Sequence, residues 1–533
     1  MQPEITEIFN QYNKAKRFKE SIGEKGLYEQ SKINARFYCG NQWYGANCGN
    51  DRPLVRHNII KRIGDFKIAQ TQGAKYDVSF SADGISFVKS DADKLKDLAR
   101  KSADKDFSFS GEVGEDEINT VCNSLSGYYR LTADRIGLNI LSFKVLKNAY
   151  ISGSGVLYTY WDSSVNAGFS SSGNKVKGDI CCEVLDILDV HFADGYCENI
   201  QDQPYIILTS KTDKDALLRE AERFGTLDGL KDIKPDDDNK VLVLTKLYKD
   251  YAGAENTVRC VKVTEKGYLR YDYDTRLRLY PLALFSFADS GETAYKESEI
   301  TYLIPNQIAV NRMITAQVWS NISSGMPIML VNGDTVSGDI SNDPGQIIKI
   351  YGTNEDVEGA VKYVSPPDFS TEFTNSVNSL IENTLTQSGV NAAARGDEQA
   401  QNASAISRLQ SAALMPFNIA KEKFKDFLWQ NARVWADFWL TQYGSRKIKI
   451  EDENGTWYFP FNAQRYKDIC INAAVTVNEA ENFSNSDKTS ALSDLYDKGI
   501  ITKAQYLSRL PDALIPGKSA LLSQLKEEKN EDL

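Results

Sequence analysis

Apolar residues recur every three or four positions over three long stretches between residues 290 and 444. The first carries Ile300, Ile304, Ile308, Ile314, Val318 and Ile322; the second Phe369, Phe373, Val377, Leu380, Ile381 and Leu385. The third carries Ile406, Leu409, Ala413, Phe417, Ala420, Phe424, Phe427, Val434, Trp435, Phe438 and Trp439. Such spacing gathers the apolar groups on one helical face, so each stretch predicts an amphipathic helix that buries a single stripe. Between the first two, "PIMLV", "QIIKIY" and "VKYV" within residues 325–368 predict three short strands. Between the second and third, residues 391–403 are small and polar, with Gly396 and no apolar anchor, which predicts a mobile loop. Pro416 falls inside the third stretch. It has no amide to donate and its ring clashes with the preceding turn, so the helix over 404–444 should kink there.

The rest of the chain alternates between helical and strand patterns. A helix is expected over 4–38, closing at Gly40, then one over 58–72, a strand at 76–81 and a long helix over 115–150. Residues 89–110 are charged and polar, either a surface helix or a loop. Gly153 and Gly155 end the long helix, and strands follow at 156–161, 179–187, 204–208, 241–249, 257–263 and 280–287, with one helix at 213–224. After Gly444, "RKIKIED" and "TWYFPF" predict a hairpin about Asn454-Gly455, and "ICINAAVTV" a further strand. The last fifty residues return to helix, with Gly499 ending one segment and Thr502 with Gln505 boxing the start of the next. The fold class is α+β, with mostly antiparallel strands.

Composition narrows this picture only a little. A chain of 533 residues is too long for one core and predicts two to four domains. With 41% hydrophobic and 25% charged residues it has the balance of a soluble protein. The longest apolar run, residues 280–288, is about half of what spans a bilayer, and no membrane partner is expected. Residues 1–20 are polar and helical in pattern rather than leader-like, so an intracellular origin is expected. Eight cysteines without CxxC spacing are expected to be reduced, mostly core thiols. A net charge of −11 tells against a dedicated nucleic-acid binder, but not against a surface past which nucleic acid slides.

Candidate chemistry is sparse. The two histidines, His57 and His191, stand 134 positions apart, which leaves no HExxH, zinc-finger or Cys–His pattern. No GxSxG elbow flanks a serine. His57 reads as a surface or capping group at a helix start, and His191 as a structural residue at a strand end. "GFSSSGNK" (residues 168–175) departs from a phosphate loop, because Asn174 precedes Lys175 and Val176 stands where a magnesium-holding hydroxyl belongs. A hairpin turn is the better reading. Asp236, Asp237 and Asp238 precede a strand and lack the glycine and glutamate of a calcium loop, so they read as a solvated turn. Arg395-Gly396-Asp397 is too short a match to carry weight. No catalytic residue, metal or cofactor is expected. The alternative is an enzyme acting on nucleic acid or cell wall through carboxylates that leave no motif.

Four segments in a fixed order carry a resemblance. They are "ARFYCGNQW" (35–43), "NAYISGSGVLYTYWD" (148–162), "ESEITYLIPNQIAVNRMITAQVWSNISSGMP" (297–327) and "SGVNAAARGDEQAQNASAISRLQ" (388–410). Together they resemble the portal proteins of tailed bacteriophages, with Gln307 and Asn311 in the places familiar from that family's first stem helix. The resemblance implies a multidomain portal-like subunit: a wing over 1–289, a stem helix over 290–324, a β-rich clip over 325–368 and a second stem helix over 369–390. A channel loop over 391–403, the long helix over 404–444 kinked at Pro416, wing return strands over 445–483 and a helical crown over 484–533 complete it.

The same resemblance implies the role. The subunit would be made in the host cytoplasm and assemble into a twelve-copy ring, the head-tail connector at one capsid vertex of the virion. Double-stranded DNA would pass through it without sequence preference in packaging and genome ejection. Implied partners are other copies of the chain, the major capsid and scaffolding proteins, the large subunit of terminase and then the head-tail adaptor. The implied channel-loop residues are Asn391, Arg395, Gly396, Asp397, Glu398, Gln399, Gln401 and Asn402. One cation against two anions should keep that loop from gripping phosphates. The implied docking residues of the clip are Asn332, Asp334, Asp339, Asp343, Lys349, Glu355 and Asp356.

Overall fold

The computed structural model describes residues 3–44, 54–82, 115–169, 175–231, 233–250, 256–288, 293–325, 328–331, 336–337, 349–350, 361–364, 371–390, 412–452, 455–466, 471–478 and 492–510. The chain begins with three helices, α1 (Ile5–Glu20), α2 (Leu27–Tyr38) and α3 (Ile59–Gln72), the last started by the Asn58 side chain accepting from the Lys61 amide. The single helix expected over 4–38 is thus two, separated by a turn at residues 21–26. After β1 (Lys75–Ala82), the helix expected over 115–150 is also two, α4 (Glu115–Ile136) and α5 (Leu138–Ser152). Gly137 between them has φ 71, a left-handed conformation that no α-helix continues through.

Then come β2 (Gly155–Phe169), β3 (Lys175–Asp186), β4 (Val190–Phe192), β5 (Tyr205–Asp213), α6 (Lys214–Phe224), β6 (Lys240–Lys249), β7 (Val258–Val263), β8 (Tyr268–Asp274) and β9 (Leu282–Phe285). Next are α7 (Glu299–Gly325), β10 (Ile328–Val331), β11 (Val336–Ser337), β12 (Lys349–Ile350), β13 (Val361–Val364) and α8 (Thr371–Gln387). The described chain ends with α9 (Asn418–Gln442), β14 (Ser445–Asp452), β15 (Gly455–Asn462), β16 (Ile471–Asn478) and α10 (Lys503–Arg509). The α+β class is as expected, and every described strand pair is antiparallel. No described helix is long and apolar enough to cross a membrane.

Two five-stranded sheets organise the body. The outer one is a meander, β4-β5-β6-β7-β8, and the inner one runs β15-β14-β2-β3 with β9 beside the start of β2. β8 was not expected, because its tyrosines alternate with charged residues rather than aliphatic ones. Phe169 pairs with Lys175 across the β2–β3 hairpin, in keeping with a hairpin rather than a phosphate loop there. Asp452 pairs with Gly455, so that glycine belongs to β15. β1 pairs with β16 along its whole length.

The main core forms around α9. Trp435 and Trp439 are 0% exposed, and from Asn431 to Leu440 only Arg433 escapes full burial. This half of the helix is therefore not packed on one side only, as its stripe suggested. α4, β1, β16 and β9 pack around it, so small residues such as Ala432 and Ala436 are buried along with the tryptophans. Asp437 is buried too, and its Oδ2 accepts the amides of Arg278 (2.7 Å) and Leu279 (3.0 Å). At the near end, Pro416 sits in a single 3-10 turn (Met415–Phe417) between α-helical residues 412–414 and α9. Residues 404–411 of the helix expected over 404–444 lie outside the described residues.

The thiols differ from expectation. Six of the eight cysteines are described and all are free, but only Cys122 and Cys260 are buried and Cys39 is exposed. Cys181 and Cys182, on β3, are both half-buried, with Cys182 packed against the main core. Lys19 of α1 is wholly buried and its Nζ donates to the carbonyls of Ile187 and Leu188, both at 2.8 Å, tying α1 to the turn before β4.

Candidate functional site

The first expected stem helix, α7, is fastened to the body by polar side chains at its start. The Ser298 hydroxyl accepts the Ile300 amide (3.1 Å) and donates to the Tyr150 carbonyl (2.6 Å). Lys67 reaches both oxygens of Glu299 at 2.6 Å, a half-buried ion pair between α3 and α7. Further along, Gln307 and Asn311 are 1% and 2% exposed, inside a face otherwise made of Ile300, Leu303 and Val310.

Gln307 acts as a cap for another helix. Its Oε1 accepts the amides of Ile59 (2.9 Å) and Ile60 (3.3 Å), the first donors of α3, which no carbonyl of α3 itself can meet. Its Nε2 donates to the His57 carbonyl at 2.6 Å. Asn311 accepts the His57 amide (3.0 Å) and donates to Gln42 Oε1 (2.6 Å). His57 is exposed at the start of α3, as expected, and its backbone rather than its ring is engaged.

These polar groups also explain an error in the predicted stripe. Ile304, Ile308, Ile314 and Val318 are only half-buried and Ile322 is 42% exposed, because the buried face is turned toward Gln307 and Asn311. A periodicity that counts only apolar residues cannot find a face whose centre is polar. Pro305 lies inside α7 as well, where its missing amide leaves the Thr301 carbonyl without its helical donor. The sequence reading put a helix interruption only at Pro416.

α8 runs antiparallel to α7. Asn306 donates to Thr384 (3.3 Å) and Gln317 to Thr374 (3.2 Å), and Val377 and Leu385 are buried as the spacing predicted. Burial then fades along α7: none of residues 312–322 is buried, although Ile314, Val318, Trp319 and Ile322 are apolar. Between the two helices lie two small antiparallel pairs, β10 with β13 and β11 with β12, so four short strands stand where three were expected.

Of the residues singled out from the sequence, Lys349 lies on β12 opposite Ser337, and Pro416 in the turn before α9. Asn332, Asp334, Asp339, Asp343, Glu355 and Asp356 lie outside the described residues. So do Asn391, Arg395, Gly396, Asp397, Glu398, Gln399, Gln401 and Asn402. The functional residues that the sequence reading missed are Lys67, Glu299 and Ser298. Gln307 and Asn311 were noticed only through the family's pattern, although two amides four apart on an otherwise apolar helix are a signal in themselves.

An antiparallel helix pair fastened by buried amides to an α+β body, with small β pairs between its helices, defines a structural subunit. The P22-like phage portal protein family matches residues 219–501, just over half of the chain, from within α6 past the helix pair, α9 and β16. The chain belongs to that family, whose members are structural proteins of the phage capsid vertex. No curated protein matches the chain closely enough to count as a relative.

Proposed function

We propose that the chain forms a closed ring of identical subunits, twelve in number, at one vertex of a phage capsid, and that double-stranded DNA passes through its channel during packaging and ejection. In this assignment α7 and α8 are the stem, residues 325–368 the clip, residues 391–403 the channel loop, residues 445–483 the wing return and residues 484–533 the crown. The clip docks the packaging ATPase first and the head-tail adaptor afterwards. Capsid and scaffolding proteins contact the ring from the shell side.

The observation that carries this is the uncovered part of α7. From Arg312 to Ile322 the helix carries Ile314, Val318, Trp319 and Ile322 yet buries nothing fully, with Trp319 36% and Ile322 42% exposed. Taking a side chain of that size from full exposure to full burial is worth about 1.5–3 kcal/mol, and the apolar area still exposed along this face retains part of that gain for a neighbouring copy. When one face meets a different face of the next copy and the rotation closes, the product is a ring. Ile322→Asp should leave the subunit folded, since the site is exposed, and should shift sedimentation from a ring to monomers. A variant that still sediments as a full ring would place the interface elsewhere; a wild-type chain that stays monomeric at micromolar concentration would end the proposal.

A further inference from the structure

The pair of α7 and α8 presents two unlike faces on opposite sides. Asn306 and Gln317 hold α8, and Ile308 and Trp319 each stand two residues further on, about 200° around the helix. That far side of α7 faces α2 and the turn after it across a groove of about 360 Å³. Arg36, Trp43, Tyr44 and Arg312 line the groove together with Phe37 and Ile308, and no acidic side chain is among its walls. The Arg36 guanidinium lies 3.9 Å over the Tyr44 ring, which is itself 66% exposed. Neither arginine is in an ion pair among the described residues.

The other side of the pair is the outer face of α8. Thr374 and Thr384 accept hydrogen bonds from α7, and Glu372 and Glu382 each stand two residues earlier, again about 200° around. Both glutamates are exposed, as are the short side chains of Asn375 and Ser379 between them. α8 carries no lysine or arginine, so this face is acidic. The levels agree as well. Asn306 lies opposite Thr384 in an antiparallel pair, which sets Glu382 near the level of Ile308 in the groove.

We infer that the groove between α2 and α7 receives the outer face of α8 from the neighbouring copy, with Arg36 and Arg312 paired to that helix's glutamates. The assignment rests on the ring proposed above and names the two surfaces that meet in it. Unlike faces on opposite sides of one subunit are what a head-to-tail ring requires. Rotation about an axis along the helix pair carries each level of one copy to the same level of the next, so Glu382 arrives beside Ile308 and the arginines. Tryptophan, tyrosine and arginine are the side chains that most often anchor protein interfaces, and an interface need be no more apolar than the surface around it. Nucleic acid would suit the arginines but leave the acidic face of α8 unmatched. A second copy uses both.

Sedimentation of the full chain at low ionic strength, with charges reversed on one face at a time, tests the pairing. Arg36→Glu/Arg312→Glu and Glu372→Lys/Glu382→Lys should each raise the concentration for half assembly at least about tenfold, and added salt should shrink the difference. Arg312→Glu alone, at an exposed site, should shift assembly in the same direction. Mixed in equal amounts, the two double variants should assemble at the parental concentration. Each keeps one native face, and the faces match when the chains alternate, as an even copy number permits. Recovery in the mixture also shows that both variants are folded. Assembly of either double variant alone at the parental concentration would overturn the inference, and so would a mixture no better than its parts. A parent that forms rings in those cases leaves the ring itself standing, whereas a parent that stays monomeric ends both.

Discussion

Single residues here settle local questions of charge. Asp437 accepts two amides on one oxygen, yet burial pushes its carboxyl up to about 6, and the nearby amides and Arg278 only partly offset this. The folded state therefore holds this proton more tightly than the unfolded state, whose carboxyl titrates near 4. The charged form is the penalised one, so this contribution to stability is largest below about pH 4 and falls as pH rises to about 6. At neutral pH the penalty is on the order of 3 kcal/mol. Asp437→Asn keeps an oxygen for both amides and removes the charge. The variant should melt higher than the parent at pH 7, with the difference shrinking toward pH 4.5. His191 works in the opposite sense: its pKa is depressed, so the unfolded chain gains protons first and stability is lost as pH falls below about 6.5. Comparing parent with variant cancels the histidine's share.

At the scale of elements, legibility followed chemistry. α9 could be read from its aromatic spacing, and α3, α6 and β6 were placed within a residue or so, because side-chain caps and β-branched runs mark them locally. The break between α4 and α5 could not, since a lone glycine in a helical pattern does not announce a left-handed turn. Nor could the buried face of α7, whose centre is two amides meeting partners roughly 250 residues away. The channel-loop and clip residues rest on the order of segments alone. One glycine that the sequence did mark is Gly153, which ends α5. Its φ is 92, and a Cβ there would come within 1.8 Å of the Lys296 carbonyl, on the segment that leads into α7. Gly153→Ala should accordingly cost several kcal/mol, from strained backbone and from displacing the approach to α7. Thermal melting that matches the parent within a degree would show that the backbone relaxes freely there.

For the whole molecule, charge has a consequence at the proposed channel. The chain carries a net −11, and the loop over 391–403 sets Arg395 against Asp397 and Glu398. A pore that neutralised phosphates would release counterions and hold the duplex, with a steep dependence on salt. The Asp397→Lys/Glu398→Lys double variant should therefore slow DNA packaging in vitro, more at low salt than at high. Equal rates at both salt levels would mean that the loop does not meet the DNA.

The pairing of β1 with β16 also sets a schedule. Ser79 lies opposite Ala474, 395 residues further on. A ribosome adding about 5–20 residues per second needs on the order of 20–80 s to cover that distance. For that interval the nascent β1 has no native partner strand, and its edge is open to whatever strand is nearest. On a polysome the nearest strand is the same β1 on the neighbouring nascent chain. A subunit required in many copies thus faces its greatest risk of mispairing before any copy is complete, and a holdase that shields the first hundred residues should raise the yield of folded protein more than one acting after release.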